Sequence, residues 1–277
     1  MFGRGHRYNY NPGTNGESST NGSARPAYIT VIGRFARYDV ARAQNASSDS
    51  VPTPANTAGA SGPYLFVIGN GTSSSNYSTA AVVSVGGNMS IKGSYYPQSS
   101  ADYAECFEWS DGNPKWEDRR GRFVTIDHDD TIRYANADDD YILGIISATP
   151  CVVGDSYNLE WQGRYKKDVY GQILYEDCEI EAEYDEEGNE IVPAIIVPKP
   201  IDVEEYDSEK EYIPRLERPE WATVGMLGKL VLDDDGTCEI GGFAVPGKDG
   251  IATRGTAING YKVIARLDEN HIRVIFK

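Results

Sequence analysis

The 277-residue chain lacks any long hydrophobic run. Its longest, residues 65–68 and 142–146, fall far short of the roughly 18–20 apolar residues that a membrane helix needs, so no membrane partner is expected. Residues 1–11 hold two arginines and no apolar stretch, and no secretory signal is expected there. Histidine is scarce: His6, His128 and His271 stand in unrelated contexts, which gives little support to a Ser-His-Asp or Cys-His arrangement. The four cysteines, Cys106, Cys151, Cys178 and Cys238, form no CxxC pair or Cys/His cluster, so no zinc site is expected. Without export they read as reduced thiols of a cytoplasm. Phe (7) and Met (3) are few beside Tyr (19) and Gly (29), a balance that suits sheets and turns better than a helical bundle.

Charge is abundant but unevenly placed. Residues 1–101 carry seven Lys/Arg against three acids, whereas residues 102–277 carry 19 against 39, giving net charges of +4 and −20. The shift near residue 100 marks a candidate domain boundary. The acidic part would repel phosphates, so no nucleic-acid partner is expected.

Residues 1–24 are rich in Gly, Asn and Ser and read as a mobile arm. Tyr28-Ile29-Thr30-Val31-Ile32-Gly33 is followed by the matching Tyr64-Leu65-Phe66-Val67-Ile68-Gly69, offset by 36 residues at every position. This is a short internal repeat of two strands that cannot close a core alone. Between them, residues 43–63 read as a loop. Residues 80–85 and 88–92 read as a hairpin across Gly86-Gly87. Thin strands separated by small polar residues fit a fibre shaft whose chains share their cores.

Beyond residue 101 the texture changes, and all four tryptophans lie there. Strands are expected over residues 122–126, 131–135 and 141–147, joined by acidic turns at 127–130 and 136–140. These turns lack the 12-residue spacing of a calcium loop, and no metal is expected. Residues 163–215 read as a long two-stranded arm turning at Asp185-Glu186-Glu187-Gly188-Asn189. Residues 224–232, 237–243 and 260–276 complete a run of strands, with Asp233-Asp234-Asp235-Gly236 read as a hairpin turn. Gly225-Met226-Leu227-Gly228-Lys229-Leu230 lacks the spacing of a phosphate loop and reads as a strand with close backbone packing.

The one cluster that suggests chemistry is Gln98-Ser99-Ser100-Ala101-Asp102-Tyr103-Ala104-Glu105. Two carboxylates three residues apart follow two serines at the charge boundary. On a helical turn, positions i and i+3 project to one side and can share a site. Burial and like charge would then push their pKa values apart, leaving one acid and one base for a water or a serine hydroxyl. A helix N-terminus capped by Ser100 explains the same residues.

The stretch Ala101-Asp102-Tyr103-Ala104-Glu105, with Phe107-Glu108-Trp109 and Asp111-Gly112-Asn113, resembles the autocleaving intramolecular-chaperone domain at the C-terminus of bacteriophage tailspike and neck-appendage proteins. The likeness continues through Gly121-Arg122-Phe123-Val124-Thr125, Tyr141-Ile142-Leu143-Gly144, Tyr212-Ile213-Pro214-Arg215 and Glu217-Arg218-Pro219-Glu220-Trp221. It extends to Val224-Gly225-Met226-Leu227-Gly228-Lys229 and Asp235-Gly236-Thr237-Cys238. Val67-Ile68-Gly69-Asn70-Gly71-Thr72 resembles the stem that precedes that domain.

The resemblance implies a mainly β, homotrimeric protein: a thin β-stem shared between chains, and a C-terminal β-rich chaperone domain with a long two-stranded arm. It implies a flexible arm over residues 1–24, a stem over 25–100 and the autocleaving domain over 101–277. That domain would trimerise, template the upstream tailspike stem, and then cut itself off as a glutamic-type peptidase. Asp102 and Glu105 are the implied catalytic pair, and the bond cut lies among Ser99, Ser100, Ala101 and Asp102, with Ser100–Ala101 favoured. Cleavage would need no cofactor, whereas release of the cut domain can depend on ATP. Arg119, Arg120 and Arg122 are the anion contacts considered for it, with ordinary surface arginines as the alternative. The setting would be the cytoplasm of an infected bacterium, with the mature stem in the virion. About 100 residues precede the motif where the family usually carries more, which implies a fragment or a short fibre tip. Two other readings stand beside it: a non-cleaving trimeric fibre tip that binds a host surface through Tyr and Trp, and a carboxylate-pair glycosidase.

Overall fold

The computed structural model describes residues 7–8, 30–34, 37–38, 64–73, 76, 78–84, 87–97, 101–159, 161–185, 187–192, 194–257 and 260–277. Apart from Arg7 and Tyr8, the arm expected over residues 1–24 lies outside these, as do the 43–63 loop, Ser99 and Ser100. In chain order the strands are β1 (Arg7–Tyr8), β2 (Thr30–Arg34), β3 (Arg37–Tyr38), β4 (Tyr64–Asn70), β5 (Thr79–Ser84), β6 (Met89–Ile91) and β7 (Asp102–Glu108). Then come β8 (Phe123–Ile126), β9 (Ile132–Tyr134), β10 (Gly144–Ile146), β11 (Val152–Gly154), β12 (Tyr175–Ile180), β13 (Glu183–Tyr184), β14 (Glu190–Val192) and β15 (Ile195–Pro200). The last are β16 (Trp221–Asp233), β17 (Phe243–Pro246), β18 (Ala252–Gly255), β19 (Tyr261–Arg266) and β20 (His271–Phe276). The protein is mainly β; the described residues add only short 3₁₀ turns at Arg215–Glu217 and Lys248–Gly250.

Backbone contacts group the chain into two compact units, one of Met1–Tyr95 with Tyr165–Tyr206, the other of Tyr96–Arg164 with Asp207–Lys277. In the first unit, β2 and β4 pair in parallel with Thr30 opposite Phe66 and Gly33 opposite Gly69. The register is the 36-residue offset read in the sequence, so the repeat stacks on itself. Gly33 makes the stack possible: its φ is +86°, and a β-carbon there would lie 2.2 Å from the Gly69 carbonyl oxygen. The expected hairpin is present, with Ala81 opposite Ile91 and Val83 opposite Met89. The arm is present too: β12 pairs with β15 and β13 with β14 across the 185–189 turn. Its second side continues as a strand through Pro200.

The second unit is built on a ten-stranded sheet in which the 13-residue β16 pairs with β7, β10 and β20. Alternation sets its core. In β20, Ile272, Val274 and Phe276 point inward while His271, Arg273 and Ile275 do not. They pack with Phe123, Ile145, Leu230, Leu232 and Val263, and Tyr261 stacks on Phe276 at 4.3 Å. Trp109, Val124, Ile132, Leu143, Ile146 and Val224 form a second cluster. Two expectations fail here. Residues 237–242 are not a strand, because Thr237 closes a turn onto the Asp235 carboxylate (N···Oδ1 3.0 Å) and only Phe243–Pro246 extends. Asp233–Gly236 is not a hairpin turn, because β16 pairs with β20 rather than with the strand that follows it.

Candidate active site

Strand β7 is held on both edges. On one side it runs antiparallel to β16, with Gly228 opposite Asp102, and a bulge falls between Gly225 and Leu227. On the other it runs parallel to β11, with Val152 opposite Tyr103 and Gly154 opposite Glu105. The Asp102 carbonyl oxygen accepts from both the backbone N–H and the Sγ of Cys151, each at 2.9 Å. Gly228 has a φ of +124°, and a β-carbon on it would stand 2.2 Å from the Ala101 carbonyl oxygen. The glycine-rich segment at 225–230 is thus a strand with close backbone packing, and that packing fixes the start of β7.

Asp102 points inward and is only 5% exposed. Its Oδ2 is buried without a hydrogen-bond partner. A β-carbon on Gly225 would meet that oxygen at 3.2 Å. Burial raises the Asp102 pKa above its ordinary 3.8, and the hydroxyl of Ser147, acting as a donor to the carboxylate, partly opposes the rise. Asp102 and Ser147 line one cleft of about 390 Å³, with Arg120, Lys229, Asp233 and His271 among its other walls. Among the described residues beside the charge boundary, Asp102 unites a perturbed carboxyl, an unsatisfied oxygen and open space.

Glu105 lies elsewhere. Residues 102–105 are extended, so positions i and i+3 project to opposite faces, and the helical turn expected from the D-x-x-E spacing is not formed. The capped helix considered for Ser100 is absent for the same reason. On its own face Glu105 accepts a hydrogen bond from the Tyr103 hydroxyl and packs over Gly154, where a β-carbon would meet Glu105 Cγ at 3.0 Å. That bond, with the nearby Glu105 charge, raises the Tyr103 pKa. Ala101 is exposed, and Ser99 and Ser100 lie outside the described residues.

The three arginines are engaged by the chain's own carboxylates. Arg119 is buried rather than superficial: it forks onto Asp111 at 2.8 and 2.7 Å, bonds Glu117 at 2.9 Å and covers the Trp109 ring at 4.5 Å. Arg120 pairs with Asp118, and Arg122 with Asp233 at 2.9 Å and the Asp249 carbonyl at 3.2 Å. In the acidic turns, Arg133 bonds Asp139 at 3.0 Å and pairs with Asp127 at 3.5 Å. Among the described residues no group of three or more His, Cys, Asp or Glu is placed to hold a metal. All four cysteines are free; burial pushes the Cys106 thiol up to about 11 and Cys238 up to about 12.

The family model of the Peptidase_G2, IMC autoproteolytic cleavage domain matches residues 53–270. The chain belongs to this family. The match starts well upstream of Asp102, at residue 53. Pre-neck appendage proteins of Bacillus phages B103 and phi29 are 35% and 32% identical to it over 155 residues, covering 56% of this chain and 16% of each relative. The chain therefore spans about a sixth of the length of the relatives it matches. The crystal structure of the pre-mature bacteriophage phi29 gene product 12 shares its fold, with a TM-score of 0.58 and 25% identity over 78% of this chain and 26% of that one.

Proposed function

We propose that residues 101–277 are an intramolecular chaperone that gathers three copies of the chain, templates the stem of residues 25–100 carried behind the arm of residues 1–24, and then separates by cutting just upstream of Asp102. In this reading the whole serves a phage tailspike or appendage, assembling in the cytoplasm of the infected bacterium and leaving the stem in the virion. One observation carries the choice of site: the residue that opens β7, beside the favoured bond, is a buried carboxyl with a free oxygen in a cleft.

The reaction is a hydrolysis. Water adds to the carbonyl carbon of Ser100, the C–N bond to Ala101 breaks, and the water's proton ends on the departing amine. Asp102 takes the proton from water, and its raised pKa makes it a better base than an exposed aspartate. Glu105 returns a proton to the amine of Ala101. Because the two side chains of one strand face opposite ways, a site that uses both draws Asp102 from one copy and Glu105 from another. Cutting then waits for assembly. The stem gains from this order: its paired strands are few, and interchain pairing is slow and exposes open edges. A folded trimeriser raises the local concentration of the stems, and its loss makes the product kinetically one-way. The cut itself uses no cofactor; any role of ATP belongs to release. Expression of the full chain with gel and mass analysis tests the reading: two pieces for the wild type, and one intact chain for Asp102→Ala and for Glu105→Ala.

A further inference from the structure

Strand β7 places Tyr103 and Glu105, two positions apart, on one face. The Tyr103 hydroxyl donates a hydrogen bond to Glu105 Oε1. Among the described residues no Lys, Arg or His pairs with Glu105, and its Oε2 has no partner. Both side chains lie over the same piece of bare backbone. Gly154 of β11 stands opposite Glu105, and a β-carbon on it would come within 2.9 Å of the Tyr103 hydroxyl oxygen and 3.0 Å of Glu105 Cγ. The φ of Gly154 is not positive, so the position needs glycine for room rather than for backbone conformation. Tyr103 is itself half-buried, with Val152 and Leu227 as its cross-strand neighbours.

We propose that Tyr103 is a positioning residue for the self-cleavage reaction: its hydroxyl holds Oε1 of Glu105 over Gly154 and leaves Oε2 as the atom that gives the proton to the departing amine of Ala101. This rests on the reading of Glu105 as the acid. A glutamate on a strand surface otherwise turns freely about its side-chain bonds. One fixed donor removes much of that freedom, and a proton donor held in place costs the reaction less than one that must be ordered. The bond to Glu105 raises the Tyr103 pKa, so the hydroxyl keeps its proton and remains the donor. Tyr103 reaches only the Glu105 of its own strand. In a site drawn from two copies it therefore acts from the copy that supplies Glu105, not from the copy that is cut.

The test follows cutting over time by mass. In the full chain, Tyr103→Phe, which removes only the hydroxyl, should cut about tenfold more slowly, the scale of one lost hydrogen bond to a carboxyl. Gly154→Ala, which fills the floor beneath the pair, should slow cutting as well. Mixed assemblies of Asp102→Ala and Glu105→Ala chains then separate positioning from packing. The slowing should come from Tyr103→Phe placed in the Asp102→Ala chain, which supplies Glu105, and not from the same change in the Glu105→Ala chain, which is cut. A wild-type rate for full-chain Tyr103→Phe, or slowing that follows the cut chain, overturns the role of Tyr103. If the unmodified mixture stays uncut, the reaction lies within one chain, and a Glu105→Asp background decides, since the shorter acid falls away from the hydroxyl. Slowing by Tyr103→Phe as large there as in the wild type overturns the role, and no further slowing upholds it. Persistent cutting by Glu105→Ala would instead overturn the reading on which the proposal rests.

Discussion

Gly228 lies across the strand pair from Asp102, and no side chain fits between its α-carbon and the Ala101 carbonyl, 2.2 Å from where a β-carbon would sit. The start of β7 is thereby pressed against β16 on one edge while Cys151 ties down the other. The backbone that carries the Asp102 carboxyl is positioned by a glycine 126 residues away in sequence.

Gly228→Ala should therefore slow cutting by displacing the Ala101–Asp102 backbone. A left-handed φ of +124° adds strain of about 1–3 kcal/mol, read as a lowered midpoint in chemical denaturation. Unchanged cutting and stability would mean that β7 tolerates a shift at the bond.

If the pair is drawn from two copies, complementary variants should repair each other. Asp102→Ala and Glu105→Ala chains with different tags should each stay intact when expressed alone. Expressed together they should form mixed assemblies in which the Glu105→Ala chain, which keeps its own Asp102, is cut. Verified mixed assemblies without a cut would place the reaction within one chain.

The Asp102 pKa lies above its unfolded value of 3.8, so the folded protein prefers this group protonated. The sign follows: the group costs nothing below that value, and its penalty grows as pH rises through the raised folded pKa and then levels off. In a Glu105→Ala background that keeps chains intact, Asp102→Asn should raise the denaturation midpoint at neutral pH. The gain should vanish below about pH 3, where the carboxyl is protonated in the folded and unfolded states alike. A midpoint lowered equally at all pH values would show that the carboxyl is held by bonds rather than penalised by burial.

Gly33→Ala tests the stacked repeat. A β-carbon there meets the Gly69 oxygen, so the parallel pair of β2 and β4 must part or shift. Hydrogen exchange should quicken over Thr30–Arg34 and Tyr64–Asn70 and stay unchanged over His271–Phe276. Unaltered protection in these two strands would contradict the stacked repeat.

Much of this was legible in the residues. The repeat of Tyr28–Gly33 at Tyr64–Gly69 carries the register of the β2–β4 pair directly, because a parallel pair in register repeats its own offset. Gly225–Leu230 reads as a closely packed strand because it lacks phosphate-loop spacing. Asp102 and Glu105 were visible as a pair, but their spacing alone suits a helical turn. The strand is betrayed only by the wider alternation, in which Asp102, Ala104 and Cys106 are buried and Tyr103, Glu105 and Phe107 are not. Ser147, which lines the same cleft as Asp102, gave no local signal, since the two come to that cleft only through pairing of β10 and β7 with β16, some 75 residues downstream. Arg119 misled because a basic triplet resembles a surface, whereas its carboxylate fork and the Trp109 ring lie up to ten residues upstream in the chain.

The central claim is that Asp102 drives a cut beside itself, and the mass of the purified full-length chain tests it most directly. Cutting at Ser100–Ala101 yields a C-terminal piece of 177 residues, the 277 less the first 100, starting at Ala101. The account predicts that piece for the wild type and a single intact 30.4 kDa chain for Asp102→Asn. An intact wild-type chain after prolonged incubation, or the same two pieces from Asp102→Asn, would contradict it.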